Sequence, residues 1–161
     1  MRLTGDVVAR HPTPADGPAI EAMYARCSFE SRYARLLAPL AAIPGRHLAQ
    51  VLVTGPTDEA WVAVRRDDPG TVLALGSWAR DGTDAELALI VEDSWQRRGI
   101  GSSLVRILGE RASNAGVCRL TASVLTESRH VFRMLRSVLG PLSTRVDGHV
   151  SLVTIDRCES S

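Results

Sequence analysis

The stretch that decides the fold is AELALIVEDSWQRRGIGSSLVRILG, which runs from Ala85 to Gly109. Its first part is an apolar run from Leu87 to Val91, a pattern typical of a strand covered on both faces. From Ile100 onward the apolar residues recur with helical spacing, which predicts an amphipathic helix that packs back onto the strand. The stretch therefore predicts a strand, a basic turn with glycines, and a helix.

The turn between this strand and helix has the composition of an anion site. The first amides of a helix have no intrahelical partner and lie at the positive end of its dipole. Gly99 and Gly101 let a phosphate approach the backbone, and Arg97 and Arg98 add positive charge just before the helix. We therefore predict a pyrophosphate-binding turn, against the alternative that the glycines serve tight packing and the arginines face water.

Two other phosphate-binding motifs do not fit the turn. A Walker A loop requires Lys-Ser or Lys-Thr after its last glycine, but Ser102 and Ser103 follow Gly101. A dinucleotide fingerprint requires Gly-x-Gly-x-x-Gly directly after a strand, but Leu104 takes the third position and residues 92–98 intervene.

Composition excludes several classes of protein. The 161 residues suit one domain, predicted over residues 1–157 with a tail at 158–161. A net charge of +1 and few aromatic residues predict no nucleic-acid partner. The chain has no apolar leader and no run of membrane-spanning length, which predicts a cytoplasmic protein with no membrane partner.

Cysteine and histidine spacing predicts neither disulfides nor metal. Cys27, Cys118 and Cys158 are odd in number and widely separated, so reduced thiols are expected. Cys118 as a covalent nucleophile is an alternative, but no histidine stands in obvious register with it, and a buried thiol is favoured. The four histidines show no metal-ligand spacing, so no metal is predicted.

The rest of the chain predicts strands and helices in a definite order. Turn residues and hydrophobic periodicity give β-α-α-β-β-β-α-β-α-β-β, with a further short helix within residues 46–53. The fourth strand is the apolar run that ends at Val91, and the fifth covers Arg119 to Leu125.

Two segments of the chain resemble known acyltransferases. VEDSWQRRGIG, from Val91 to Gly101, resembles the central acyl-CoA-binding motif of GNAT-superfamily N-acetyltransferases, and the order of elements extends the resemblance over nearly the whole chain. SFESRYARL, from Ser28 to Leu36, is similar to a segment in the acyltransferase domain of bacterial protein lysine acetyltransferases. The resemblance implies an α/β fold of the α+β type, a mostly antiparallel sheet that is splayed between its fourth and fifth strands and flanked by helices.

The resemblance also implies acetyl-CoA as co-substrate and a set of residues that bind it. The end of the fourth strand would pair with the pantetheine arm, and backbone amides in the turn would hold the pyrophosphate. Ser128 stands where many relatives have an asparagine that contacts CoA. The residues predicted to bind the cofactor are Leu89, Ile90, Val91, Gln96, Arg97, Arg98, Gly99, Ile100, Gly101, Ser102 and Ser128.

Glu86 is the candidate general base. An amine acceptor arrives as an ammonium ion, with a pKa of ~10.4 for lysine, and must lose a proton before its nitrogen attacks the thioester. We expect Glu86 to be buried at the start of the apolar strand, because burial disfavours a charged carboxylate and makes it a better base near neutral pH. Similar protein acetyltransferases have a glutamate here; the alternative is a solvated cross-strand partner.

The remaining catalytic groups are less well defined by the sequence. The resemblance implies direct transfer through a tetrahedral intermediate whose oxyanion meets a backbone N–H, for which Val91 is the candidate. Many relatives use a tyrosine on the penultimate helix as general acid, but residues 128–139 contain none, and Tyr24 and Tyr33 lie near the N-terminus.

The acceptor is predicted to be a primary amine, with a protein lysine ahead of a small molecule. A CoA-binding regulatory module without catalysis and a nucleotide-binding protein are the alternatives, and homodimerisation stays open.

Overall fold

The computed structural model describes residues 1–53 and 55–158. The strands are β1 (Arg2–Thr4), β2 (Val7–Arg10), β3 (Asp58–Arg65), β4 (Asp68–Asp81), β5 (Asp84–Val91), β6 (Arg119–Leu125), β7 (Ser143–Asp147) and β8 (Val150–Asp156). The helices are α1 (Gly17–Arg26), α2 (Phe29–Leu36), α3 (Gly45–Leu52), α4 (Ile100–Asn114) and α5 (Arg129–Leu139), with short 3-10 turns at Pro14–Asp16 and Asp93–Trp95.

The strands form one mixed sheet in the order β1-β2-β3-β4-β5-β6-β8-β7. All neighbouring strands are antiparallel except β5 and β6, which are parallel. The predicted fold class is confirmed. The sheet has one strand more than predicted, because the short N-terminal strand β1 was missed, so the predicted fourth and fifth strands are β5 and β6.

The sheet is splayed at its parallel pair. Only Asp84–Glu86 of β5 pairs with Arg119–Thr121 of β6. On its other side β6 pairs with β8 along its whole length, from Arg119 opposite Asp156 to Leu125 opposite Val150. The edge of β5 from Leu87 to Val91 is therefore left without a strand partner on the β6 side, which opens a V-shaped gap in the sheet.

Helices cover both faces of the sheet and enclose two separate buried clusters. Leu104 and Leu108 of α4 belong to one cluster, together with Leu73 of β4. Ile20 and Met23 of α1 belong to the other, together with Val72. Since successive strand residues point to opposite faces, Val72 and Leu73 show that the clusters lie on opposite sides of the sheet.

The side chains of Trp61 on β3 and Trp78 on β4 are both buried. The Trp78 indole Nε1 donates to the carbonyl of Leu108 at 3.1 Å, which fixes α4 against β4. Gly76 lies under the same helix, and a Cβ there would come within 2.8 Å of the Leu108 Cδ1 atom. The glycine thus allows the close approach of α4.

The expectation that all three cysteines are reduced is wrong for two of them. Cys118 and Cys158 form a disulfide, with their Cα atoms 4.6 Å apart. The reason is tertiary: β6 and β8 are antiparallel neighbours, so the residue before β6 lies beside the residues that follow β8. The disulfide also removes Cys118 as a free nucleophile and ties down the first residue of the predicted tail, whereas residues 159–161 lie outside the described part. Cys27 is a free, buried thiol.

No helix in the described ranges is long and apolar enough to cross a membrane. The same ranges contain no group of three acidic, histidine or cysteine side chains placed to hold a metal ion. The assignment of residues 1–157 to a single domain stays a prediction.

The fully buried Leu104 tests the packing of α4. Leu104→Ala should lower the free energy of unfolding by about 2–5 kcal/mol, because it removes buried methyl groups and leaves a cavity. Urea denaturation measures this loss. Arg106→Ala, on the exposed face of the same helix, is the matched control and should change stability by less than about 0.5 kcal/mol. Equal effects of the two substitutions would contradict the described orientation of α4.

Candidate functional site

The N-terminus of α4 is open to an anion. Its first intrahelical hydrogen bond runs from the Ser103 amide to the Gly99 carbonyl at 3.1 Å. The amides of Ile100, Gly101 and Ser102 precede that bond and so have no intrahelical acceptor. Within residues 1–53 and 55–158 no side chain caps this end of the helix, and Gly99 takes the left-handed conformation, with φ 83°, that turns the chain into it.

Gly101 brings the first turn of α4 against the end of β5. A Cβ at Gly101 would lie 3.2 Å from the Leu89 Cδ2 atom and 3.7 Å from the Val91 Cγ2 atom. Ile100, the next residue toward the N-terminus, is buried in the cluster beneath α4. The open amides are therefore held close to the unpaired edge of β5.

Arginines flank the open amides. Arg97 has φ 62°, an uncommon backbone conformation for a residue with a side chain, and outliers of this kind cluster at functional sites. The Arg98 guanidinium lies over the ring of Trp95, 4.6 Å from its centroid. Stacking of this kind holds the charge of Arg98 beside the turn. Both arginines are exposed and therefore accessible to a ligand.

The backbone groups of Leu89 and Val91 face the gap in the sheet. The Glu92 amide donates to the Leu73 carbonyl at 2.8 Å, so Glu92 and Leu73 are a hydrogen-bonded pair between β5 and β4. Hydrogen-bonded and non-hydrogen-bonded residue pairs alternate along two antiparallel strands. Val91 and Leu89 are therefore in non-hydrogen-bonded pairs, and their N–H and C=O groups point away from β4 and toward β6. Ile90 is bonded to β4 instead. Two of the three predicted strand residues thus present backbone groups to a ligand in the gap.

Gln96 binds the protein itself through its side chain. Its Nε2 atom donates to the Val91 carbonyl and to Ser31 Oγ, both at 3.0 Å. These bonds tie the turn to the end of β5 and to α2. Contact between Gln96 and the cofactor stays a prediction, while the observed bonds give this residue a positioning role.

Asp93 fixes α2 to the same turn, a feature that the sequence analysis missed. Its carboxylate accepts hydrogen bonds from the Ser28 amide and Ser28 Oγ, both at 2.8 Å, and from Ser31 Oγ at 3.1 Å. Burial alone would raise the pKa of Asp93, but these bonds to the charged form outweigh it and lower the pKa. We call Asp93, Gln96, Ser28 and Ser31 the α2 latch.

Glu86 lies on the other face of β5, and its predicted burial is wrong. Its neighbours Ala85 and Leu87 point into the cluster beneath α4, so alternation turns Glu86 to the opposite face, where it is exposed. There it lines a cavity of about 140 Å³ between α2, α3 and the sheet. A carboxylate in this position is accessible to a ligand that enters from the α3 side.

Ser128 and Tyr33 are placed by elements far apart in the sequence. Ser128 is the half-buried residue before α5, and its carbonyl accepts from the Val131 amide at 3.0 Å. The Tyr33 hydroxyl on α2 lies 3.3 Å from His149 Nε2. His149 precedes β8 and its carbonyl accepts from Thr126, directly after β6, so this contact spans the wide end of the gap. The sequence offered no signal for it.

Substitution of Asp93 tests the α2 latch. Because folding lowers the pKa of Asp93, its ionised carboxylate stabilises the folded protein fully at pH values above the pKa of an unfolded aspartate, about 3.9. This stabilisation is lost as the pH falls through the pKa of Asp93 in the folded protein. Asp93→Asn should lower the free energy of unfolding by ~1 kcal/mol at pH 7, a small loss because Asp93 is exposed. The difference from the wild type should shrink below about pH 4.

Urea denaturation across pH measures both effects. Asp147→Asn, at the exposed end of β7, is the control and should leave the profile unchanged. A constant difference between Asp93→Asn and the wild type at all pH values would contradict a role for the ionised carboxylate.

The chain is similar to known acetyltransferases in sequence and in fold. The family model described as Acetyltransferase (GNAT) family matches residues 19–140. Acetyltransferase Pat of Mycolicibacterium smegmatis is 38% identical over 90 residues, which make up 54% of this chain and 27% of that protein. The chain spans about a quarter of the length of the curated relatives that it matches.

Solved structures match nearly the whole fold. The GNAT domain of S. lividans PAT has a TM-score of 0.82 at 21% identity, over 94% of this chain and 91% of that chain. The putative acetyltransferase yncA of Salmonella typhimurium, solved with its cofactor acetyl-CoA, has a TM-score of 0.74 at 17% identity, over 98% and 97% of the two chains. The family model covers most of the described residues and the sheet matches that of a solved GNAT domain; this protein belongs to the acetyltransferase (GNAT) family.

Proposed function

We propose that this protein transfers an acetyl group from acetyl-CoA directly to a primary amine, with a lysine side chain of a protein as the favoured acceptor. The observation that carries the proposal is the open N-terminus of α4 beside the unpaired edge of β5. Amides without acceptors suit a diphosphate, and a strand edge without a partner suits the amide groups of a pantetheine arm.

The similar proteins support both the donor and the acceptor. The Salmonella protein was solved with acetyl-CoA, which supports acetyl-CoA as the donor here. Pat of Mycolicibacterium smegmatis is named as an acetyltransferase, and the S. lividans PAT domain has the same GNAT fold, which supports acetyl transfer here. The similarity of residues 28–36 to a segment of protein lysine acetyltransferases favours a protein lysine as the acceptor.

We assign each group of the site a role according to its position. The amides at the start of α4, with Arg97 and Arg98, bind the pyrophosphate. The gap-facing backbone groups of Leu89 and Val91 align the pantetheine arm, and the Val91 N–H is the candidate donor to the oxyanion. Glu86 receives the acceptor ammonium on the α3 side and accepts its proton directly or through water. Ser128, at the start of α5, is retained as a candidate contact to CoA.

Gly101 tests the binding of the donor. Gly101→Val should abolish measurable acetyl-CoA binding, because its side chain meets Leu89 and Val91 and fills the space beside the open amides. Isothermal calorimetry checks this. Gly70→Val is the matched control, since nothing lies within 4 Å of a Cβ at that position. Near-normal affinity of Gly101→Val would place the diphosphate elsewhere.

Substitution of Glu86 tests its proposed role as the general base. Glu86→Gln should bind acetyl-CoA with wild-type affinity but lose turnover near neutral pH by about 10²-fold or more, as expected for removal of a general base. Glu110→Gln, exposed on α4, is the matched control. Unchanged turnover of Glu86→Gln would remove this residue from the mechanism.

Release of free CoA from acetyl-CoA identifies the acceptor. We expect release with a lysine-rich peptide, and more slowly with small amines. Tight binding of acetyl-CoA without release across a broad panel of amines would instead favour a CoA-binding module, the alternative suggested by the absence of a tyrosine from α5.

A further inference from the structure

The cavity beside Glu86 is lined by charged and polar groups from four elements. The side chains of Asp58 of β3, Glu86 of β5 and His47 of α3 lie on this side of the sheet, opposite Arg35 of α2. Asp58 accepts a hydrogen bond from Gln50 at 3.3 Å. Of the two carboxylates, Glu86 is the exposed one. The cavity thus has the charge expected of a site that receives a cation.

His47 carries an unsatisfied polar atom at this cavity. Its ring is half-buried, and its Nδ1 atom is buried without a hydrogen-bond partner in the part of the chain that the structure describes. Buried polar atoms almost always have partners, so the hydrogen bonding of this ring is incomplete within the described residues. Because Nδ1 has no exposed surface, an amine in the cavity would meet the imidazole at Nε2.

The surroundings keep the imidazole of His47 neutral. Burial, followed by the charges of Arg35 on α2 and Arg46 on α3, lowers its pKa, and Glu86 on β5 opposes this shift. Asp58 of β3 is the other charged side chain that faces the same cavity, whereas the carboxylate of Glu59 lies on the opposite face of the sheet, near Arg111 of α4. A neutral imidazole at physiological pH can accept a proton, whereas an imidazolium cannot.

We propose that His47 is a second proton acceptor at the acceptor amine, working with Glu86 in the same cavity. The inference rests on the proposed function, because it names the group that deprotonates the acceptor of that reaction. Glu86 attracts the ammonium ion of the acceptor and takes its first proton, and the freed amine attacks the thioester carbonyl to form the N–C bond. His47 takes the second proton from the nitrogen of the tetrahedral intermediate and becomes imidazolium, the C–S bond breaks, and CoA leaves as the thiolate. The amide and the thiolate together carry two protons fewer than the ammonium ion and the thioester, and these protons leave from Glu86 and His47 to water or to the thiolate.

Kinetics of His47→Gln across pH test the proposal. We expect kcat/KM for a lysine-rich peptide to fall by about 10²-fold near pH 7, with unchanged acetyl-CoA affinity by calorimetry. In the wild type, kcat/KM should fall as the pH drops through the lowered pKa of His47, and this limb should be absent in the variant. Imidazole added to His47→Ala should restore part of the rate, which loss of a purely structural residue would not allow. His130→Gln, exposed on α5, is the matched control. Wild-type kinetics of His47→Gln would overturn the proposal.

A binding measurement separates this inference from the proposed function. Addition of Nα-acetyl-lysine amide should shift the NMR signal of the His47 imidazole, assigned through its loss in His47→Gln, and leave that of His130 in place. Acetyl transfer by a wild-type protein whose His47 signal does not respond to this probe would overturn the role of His47 but not the enzyme. A responding signal without any acetyl transfer would overturn the transferase function, and with it the catalytic role of His47, while leaving the cavity as an amine site.

Discussion

The structure depends on how little of β5 and β6 is paired. Three residue pairs hold the parallel strands together, after which β6 follows β8 and β5 follows β4. A parallel pair needs a crossover connection, and α4 supplies it, so the start of that helix necessarily lies near the end of β5. Separation of the strands and the position of the open amides are thus two results of one topology.

Glycines at two positions allow the crossover helix α4 to pack closely against the sheet. Gly76 lets the body of α4 lie against β4, and Gly101 lets its first turn lie against Leu89 and Val91. A looser helix would carry its unpaired amides away from the strand edge. The α2 latch then holds the intervening turn from the opposite face, since Asp93 and Gln96 both bond to α2. Packing on one face and hydrogen bonds on the other fix the same turn, residues 92–99.

The two faces of β5 have different tasks because side chains alternate along a strand. Leu87 and Leu89 pack beneath α4, whereas Glu86 and Ala88 face the cavity under α3. The backbone edge lies between them and faces the gap. A donor bound along the edge and an acceptor entering the cavity would therefore meet at β5 from different sides, which suits direct transfer between them.

Much of this arrangement could be predicted from local sequence. The apolar run to Val91, the glycine-containing turn and the helical stripe from Ile100 determined a strand, a turn that leaves helix amides unpaired and an amphipathic helix, because each depends on residues close in the chain. The fold class followed from the order of such elements and from the resemblance to a family. The short strand β1 was not predicted, because the alternation of apolar and polar residues cannot be recognised over only three residues.

Only the tertiary structure decided which distant side chains meet. The disulfide between Cys118 and Cys158 forms because β6 and β8 are neighbours, and spacing of three cysteines in the sequence carries no information about that register. The exposure of Glu86 depends on which face α4 covers, which an apolar run alone does not reveal. His47 reaches the same cavity from α3, a helix separated from β5 by two strands of sequence. The sequence by itself determined the local elements and the glycine-containing turn before α4; long-range pairing of strands determined the gap, the latch and the cavity, because those contacts join residues that have no local relation.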